Sequence, residues 1–277
     1  MKQAYSFATI LLALTIGVAA QTTPVPTKSE APGTAATGTS KVAKTEPAPA
    51  VRSAKSEGQA TKPAPAAANK LDEVLNAMDK TAASFQSLEA DFEWDQYSKV
   101  VDETTVQKGV MYFRRQGKDI EMAADIRSTD GRPDAKYVLF TGGNVQVYQP
   151  KVDQITKYNA GKNKADFESF LVLGFGGRGH DLAKSFEVRY AGDESIGGIN
   201  TAKLELTPKV ARVKNLFELI TLWIDPVRGI SVQQKFQESS GDYRLAKYSN
   251  VKMNQKLPDS AFKLKTTGKT KVVTPQG

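Results

Sequence analysis

The chain has 277 residues, a formal charge of +8, a pI near 9.4 and no cysteine. The missing cysteine rules out disulfides, thiol chemistry and thiolate metal sites, and the single histidine argues against zinc. The charges are spread along the chain without a nucleic-acid motif, so the basic balance reads as a solvated surface and no nucleic-acid partner is expected.

In chain order, Lys2, an uncharged apolar run from Ala4 to Ala19, and the small residues Val18-Ala19-Ala20 read as a signal peptide over residues 1–20, cleaved before Gln21. The run falls short of the ~20 residues of a comfortable bilayer span. Residues 21–68 are rich in Ala, Pro, Thr and Lys and hold no aromatic residue. They bury too little apolar surface to offset the entropy of ordering and read as a disordered linker. The folded domain is expected over 69–277.

Asn69 is placed as a helix cap, and Leu71, Val74, Leu75, Met78, Ala82 and Phe85 recur at helical spacing, which predicts a helix over about 70–84. The period then changes to two. Leu88, Ala90, Phe92 and Trp94 alternate with acidic residues, and further strand patterns follow at 105–115, 118–127, 136–141, 144–149 and 152–158. A second series covers 186–192, 200–207, 216–225, 230–238 and 242–254. Turn chemistry separates these runs, as at Asp130-Gly131, Gly142-Gly143 and Gly197-Gly198. Between the two series, Asp166, Phe167, Phe170, Leu171, Leu173 and Phe175 predict a short apolar helix, followed by glycines and a second short helix at Asp181–Phe186. The fold class is mainly β: an unclosed antiparallel β-barrel of about eleven strands, with an N-terminal helix and a helical lid insert on the concave side. Lys263, Lys265, Lys269 and Lys271 are expected in a frayed, solubilising tail.

Catalytic constellations are absent from this pattern. Gly174-Phe-Gly-Gly-Arg-Gly179 matches G-x-G-x-x-G but lacks the preceding strand and parallel βαβ setting of a dinucleotide site, and reads as a flexible hinge between lid helices. His180 and Asp181 come with no nucleophile elbow, and the acidic residues form no calcium loop. Neither an enzyme nor a cofactor or metal site is expected.

Four segments carry a family resemblance: Leu88-Glu-Ala-Asp-Phe92, Gly109-Val-Met-Tyr-Phe-Arg-Arg115, Thr141-Gly-Gly-Asn-Val-Gln-Val-Tyr-Gln-Pro150 and Leu206-Thr-Pro-Lys209. In this order, from about residue 70 onward, they resemble the outer-membrane lipoprotein carrier (LolA) family. Gln116 stands where the family usually has proline. The resemblance implies a hydrophobic cavity for lipoprotein acyl chains, cargo received from an inner-membrane ABC transporter, and delivery to an outer-membrane receptor or membrane surface, with no covalent chemistry. It also implies that Arg115 gates the lid by bonding its backbone carbonyls, with Arg114 as a solvent-facing neighbour.

Strand parity proposes Phe92, Trp94, Met111, Phe113, Ile120, Met122 and Ile126 as the cavity lining, under a lid helix carrying Phe167, Phe170, Leu171 and Leu173. Shielding a chain from water is worth about 0.8 kcal/mol per methylene, so a carrier needs such a surface. The expected protein is a monomeric periplasmic carrier. A module for another lipid and a regulatory sensor of the same barrel class remain open readings.

Overall fold

The computed structural model describes residues 65–117, 119–159 and 170–275. The expected signal peptide and linker lie outside this range, except for the last residues before the domain. Helix α1 runs from Pro65 to Ser84, a turn longer than expected. Pro65 suits a first helical position and Ala66–Ala68 have high helix propensity, so the helix starts before Asn69, which is therefore interior and not a cap.

Among the described residues twelve strands follow: β1 Ser87–Ser98, β2 Glu103–Gln116, β3 Asp119–Thr129, β4 Arg132–Thr141, β5 Asn144–Gln149, β6 Gln154–Asn159, β7 Phe186–Ile196, β8 Ile199–Pro208, β9 Leu219–Asp225, β10 Ile230–Gln237, β11 Tyr243–Met253 and β12 Lys271–Val273. They form one sheet ordered β12-β6-β5-β4-β3-β2-β1-β11-β10-β9-β8-β7. It is an open half-barrel: β1 pairs with β11 at its middle, and β12 and β7 are its edges. All described neighbours are antiparallel except β12 with β6. Two-residue turns at Asp130-Gly131, Gly142-Gly143 and Gly197-Gly198 join three of the hairpins, every one of these residues having positive φ. That is the twist-matched hairpin geometry which glycine and aspartate permit.

Two details depart from the sequence pattern. Leu216–Glu218 are not part of a strand: a single helical turn, α3 at Ala211–Lys214 (after α2 at Leu182–Ser185), brings Val213 and Phe217 into the core before β9 begins. The tail is also not frayed. Leu257, Ala261, Phe262 and Leu264 cover Ala123 and Leu139 on the convex face, and β12 then pairs with β6. Isolated apolar residues in a lysine-rich tail give no periodic signal, which is why this twelfth strand and its cover were not foreseen.

Two apolar clusters occupy the concave side. In one, Val74, Leu75 and Met78 of α1 pack on Ala202, Leu204, Leu206, Ile220, Leu222 and Ile224 of β8 and β9. In the other, the inward rows of β1–β5 meet Phe85 and Phe175.

Candidate functional site

Cross-strand register builds the second concave region row by row. Leu88 faces Phe113, which faces Met122, then Phe140 and Val145; beside it run Ala90, Met111, Ala124, Val138 and Val147. These side chains are almost completely buried. Over them lies segment 170–177, in which Phe170 and Leu171 are helical and the following residues turn. Phe175 packs 5.9 Å from Phe113 and edge-on to Tyr248 at 4.7 Å, between ring centroids.

Polar ties fix this segment. Gln234 Nε2 donates to the Leu173 carbonyl at 2.6 Å, while Gln234 Oε1 accepts from the Tyr248 hydroxyl at 3.3 Å. The Ser231 amide donates to the Gly174 carbonyl at 2.8 Å. Arg115 Nη2 donates to the Gly176 carbonyl at 3.2 Å. Gly174 and Gly176 have φ of +77° and +72°, and a Cβ on them would stand 2.6 Å from the Ser231 Cβ and 2.4 Å from the Phe85 ring. Their glycine character therefore serves a pinned, close approach to the sheet and to Phe85, in place of the free hinge suggested by the sequence.

Between the segment and the sheet is a cavity of about 140 Å³, walled by β1–β3, β10 and β11. Of the lining residues expected from parity, Trp94, Met111, Phe113 and Met122 reach it, as do Phe170 and Leu171 of the segment above it. Phe92, Ile126 and Leu173 are packed into the surrounding core, and Ile120 is half-buried against it. Phe92 stacks on Trp94 at 4.1 Å, backing the lining residue. Phe167 lies outside the described residues.

The sequence reading missed the β10–β11 wall, formed by Gln234, Phe236, Arg244, Leu245, Ala246 and Tyr248. Inward positions on β10 carry glutamine and β11 carries arginine, so polarity alternation points them outward. The β-bulge at Ser231/Gln233 further obscures the period.

Arg115 is an exposed residue at the end of β2, with its guanidinium turned back to the Gly176 carbonyl. It stands at the rim and not within the apolar space. Arg114 is not solvent-facing. It pairs with Glu121 and Asp259, each at 2.5 Å, and lies 4.1 Å over the Phe262 ring, beneath the tail.

His180 ties the turn after Gly176 to α1. Its Nδ1 lies 2.6 Å from Asp79 Oδ2 and its Nε2 3.2 Å from Asp72 Oδ1. The hydrogen bond with Asp79, then that with Asp72, raises the imidazole above its ordinary value. Burial pushes the Asp79 carboxyl upward, but its bonds from His180 and their mutual attraction outweigh this and hold it low.

Among the described residues nothing in this site resembles a reaction centre. The G-x-G-x-x-G stretch follows the helical end at Leu171 and precedes only the short α2, in an antiparallel setting. Among the described residues no cluster of three His, Cys, Asp or Glu side chains is arranged to hold a metal.

The family model described as "Outer membrane lipoprotein carrier protein LolA" matches residues 83–265. No curated protein matches the chain. Solved structures similar to it include an uncharacterized conserved protein from Thermus thermophilus, at 13% identity over 74% of this chain and 99% of that one, with a TM-score of 0.46. The Mycobacterium tuberculosis lipoprotein LppX is 15% identical over 69% of this chain and 98% of its own, with a TM-score of 0.43. A LolA superfamily protein from Nitrosomonas europaea is 14% identical over 70% and 97%, with a TM-score of 0.35.

Proposed function

Because the chain belongs to the outer-membrane lipoprotein carrier (LolA) family, we propose that it is a periplasmic carrier which shelters lipoprotein acyl chains beneath the 170–177 segment and passes them between membranes. Residues 1–20 direct export, residues 21–68 form a linker, and the domain works downstream of an inner-membrane ABC transporter and upstream of an outer-membrane receptor or membrane surface. Transfer of this kind needs no covalent step, and the protein is not an enzyme.

The observation that carries the reading is the apolar cavity under a segment held by few polar ties. Its 140 Å³ matches the ~150 Å³ pocket that takes one benzene. An acyl chain is far longer, so loading requires the segment to lift. Burial of each methylene then contributes about 0.8 kcal/mol toward holding the open form. Arg115 opposes this through its bond to Gly176 and thereby resets the empty carrier.

The test is mass spectrometry of what co-purifies with the protein from the periplasm, together with a reconstituted transfer assay. Acylated proteins and their transfer to acceptor membranes are expected. A single free lipid species, or a stoichiometric regulatory protein with no transfer, would refute the carrier role. Arg115→Leu is expected to fold and load but release or recycle poorly; unimpaired transfer by that variant removes Arg115 from the mechanism.

A further inference from the structure

The cavity is apolar along most of its length but not at one end. Arg244 is the sole charged side chain among its described lining residues. It alternates with Ala246 and Tyr248 on the inward face of β11, opposite Gln96 on β1 and Phe236 on β10. All three of these residues stand within two positions of a strand end, so their row is a mouth of the cavity. The Leu88–Phe113 row, next to Arg115, lies eight residues away along β1, roughly 27 Å at ~3.4 Å per residue. The two arginines therefore mark opposite ends.

They differ in what holds them. Arg115 is exposed and bonded to an uncharged backbone carbonyl. Arg244 Nη2 donates to Glu238 Oε1 at 2.9 Å, and these side chains are only 23% and 30% exposed. Burial draws the Arg244 guanidinium below its ordinary value, against the pull of Glu238 and Asp242. Glu238 belongs to the β10–β11 turn and does not line the cavity. Among the described residues, only that carboxylate engages the five-donor fork, which leaves most of its bidentate capacity unused.

A withdrawn guanidinium needs an anion at all times, because stranding a buried charge is expensive. Glu238 supplies one when the cavity is empty, and a ligand anion can take its place without an unpaired intermediate. We infer that the half-barrel binds amphiphiles with an anionic headgroup, a carboxylate or a phosphate, which replaces Glu238 on Arg244 while the acyl tail lies against Trp94, Met111 and Phe175. The inference rests on the acyl-binding reading and names the headgroup class that the same site accepts beside an acyl chain.

The test uses the full chain and three probes with the same tail: palmitate, palmitoyl lysophosphatidate and the uncharged monopalmitoylglycerol, each titrated below its aggregation concentration. At least one anion is expected to bind about tenfold or more tightly than the uncharged probe, the worth of one charge-assisted hydrogen bond. Which anion gains more identifies carboxylate or phosphate as the natural headgroup. Arg244→Met should abolish the preference, so that in this variant both anions bind no more tightly than monopalmitoylglycerol does. Glu238→Gln, which removes the competing anion without disturbing the cavity, should tighten anion binding about three- to tenfold. A purely structural ion pair predicts no such gain. Equal wild-type affinity for all three probes, or unchanged anion affinity in Glu238→Gln, overturns the inference and leaves acyl binding intact. If none of the probes binds, the acyl-binding reading falls with it.

Discussion

The two halves of the concave surface are built from the same alternating strands and come to different ends. Against β8 and β9, α1 inserts Val74, Leu75 and Met78, and the facing Ala202, Leu204, Leu206, Ile220, Leu222 and Ile224 have no solvent exposure at all. Against β1–β3, β10 and β11, the cover is the turning segment 170–177, which leaves about 140 Å³ open beneath its aromatic residues. A regular helix fits the curved sheet ridge by ridge and closes it. An irregular segment pinned by Gln234, Ser231 and Arg115 touches the sheet at points and spans the rest. Whether an inward row becomes core or cavity thus depends on what lies across from it.

The largest expected effect tests that contrast. Leu204→Ala, in the filled half, should cost about 3 kcal/mol, because the rigid α1–β8 contact cannot collapse into the void. Met111→Ala borders existing space and loses fewer contacts, so about 2 kcal/mol, the low end for such a truncation, is expected. Denaturant unfolding measures both, and acyl-probe binding should fall only for Met111→Ala. Equal destabilisation with equal effects on binding would erase the distinction between the halves.

Gly176→Ala comes next, at about 2 kcal/mol. The added methyl meets the Phe85 ring at 2.4 Å on a backbone of φ +72°. Lifting the segment relieves part of this strain, so the variant should also load an acyl probe faster, as stopped-flow fluorescence would show. Slower or unchanged loading would mean that this turn stays in place when the cavity fills.

Lys136 sharpens the comparison from the charged side. It lies on the inward face of β4, opposite Ile126, and is 3% exposed. Asp134 is bonded to Thr129 and Lys151, and among the described residues no ion pair or hydrogen bond engages the Lys136 ammonium. Burial lowers its pKa, only partly countered by Asp134. A lysine depressed in the folded state costs stability while both states are protonated, and that cost is relieved as pH rises through the lowered value. Lys136→Met should therefore add about 1 kcal/mol at neutral pH and flatten the rise in stability at alkaline pH. A loss of stability at neutral pH would mean that the ammonium has a stabilising role.

How much of this was legible in sequence follows from the same contrast. Alternation located the strands and turns, because each strand's own residues carry its period and hairpin turns need glycine or aspartate locally, as at Gly142-Gly143. It could not separate Phe92 and Ile126, which are packed, from Trp94 and Met111, which border space, since all four point the same way. Nor could it find Gln234 and Arg244: a polar residue on an inward face looks like an outward one until its partners, Leu173 and Glu238, are placed. The tail's cover depends on the fit of Phe262 to Ala123 and Leu139, which no spacing encodes.

The smallest expected effect concerns the clamp that links the two covers. His180, just beyond the pinned segment, bonds Asp79 and Asp72 of α1, so both halves of the concave surface share this contact. Its raised pKa means that the folded state holds the imidazolium more tightly than the unfolded chain does. The resulting stability is fully present below His180's unfolded value of about 6.5 and is lost as pH rises through the raised folded value. For Asp79 the sign is opposite: a lowered carboxyl contributes above its unfolded value and loses that contribution as pH falls through the folded one. The clamp is therefore strongest between those limits, in mildly acidic solution, and loosens toward alkaline pH. His180 is 46% exposed, so screening holds its contribution to about 0.5 kcal/mol. His180→Ala should remove the decline in stability above neutrality while changing the midpoint little at pH 8. A decline of the same slope in the variant would place the pH sensitivity elsewhere and leave α1 and segment 170–177 as independent covers.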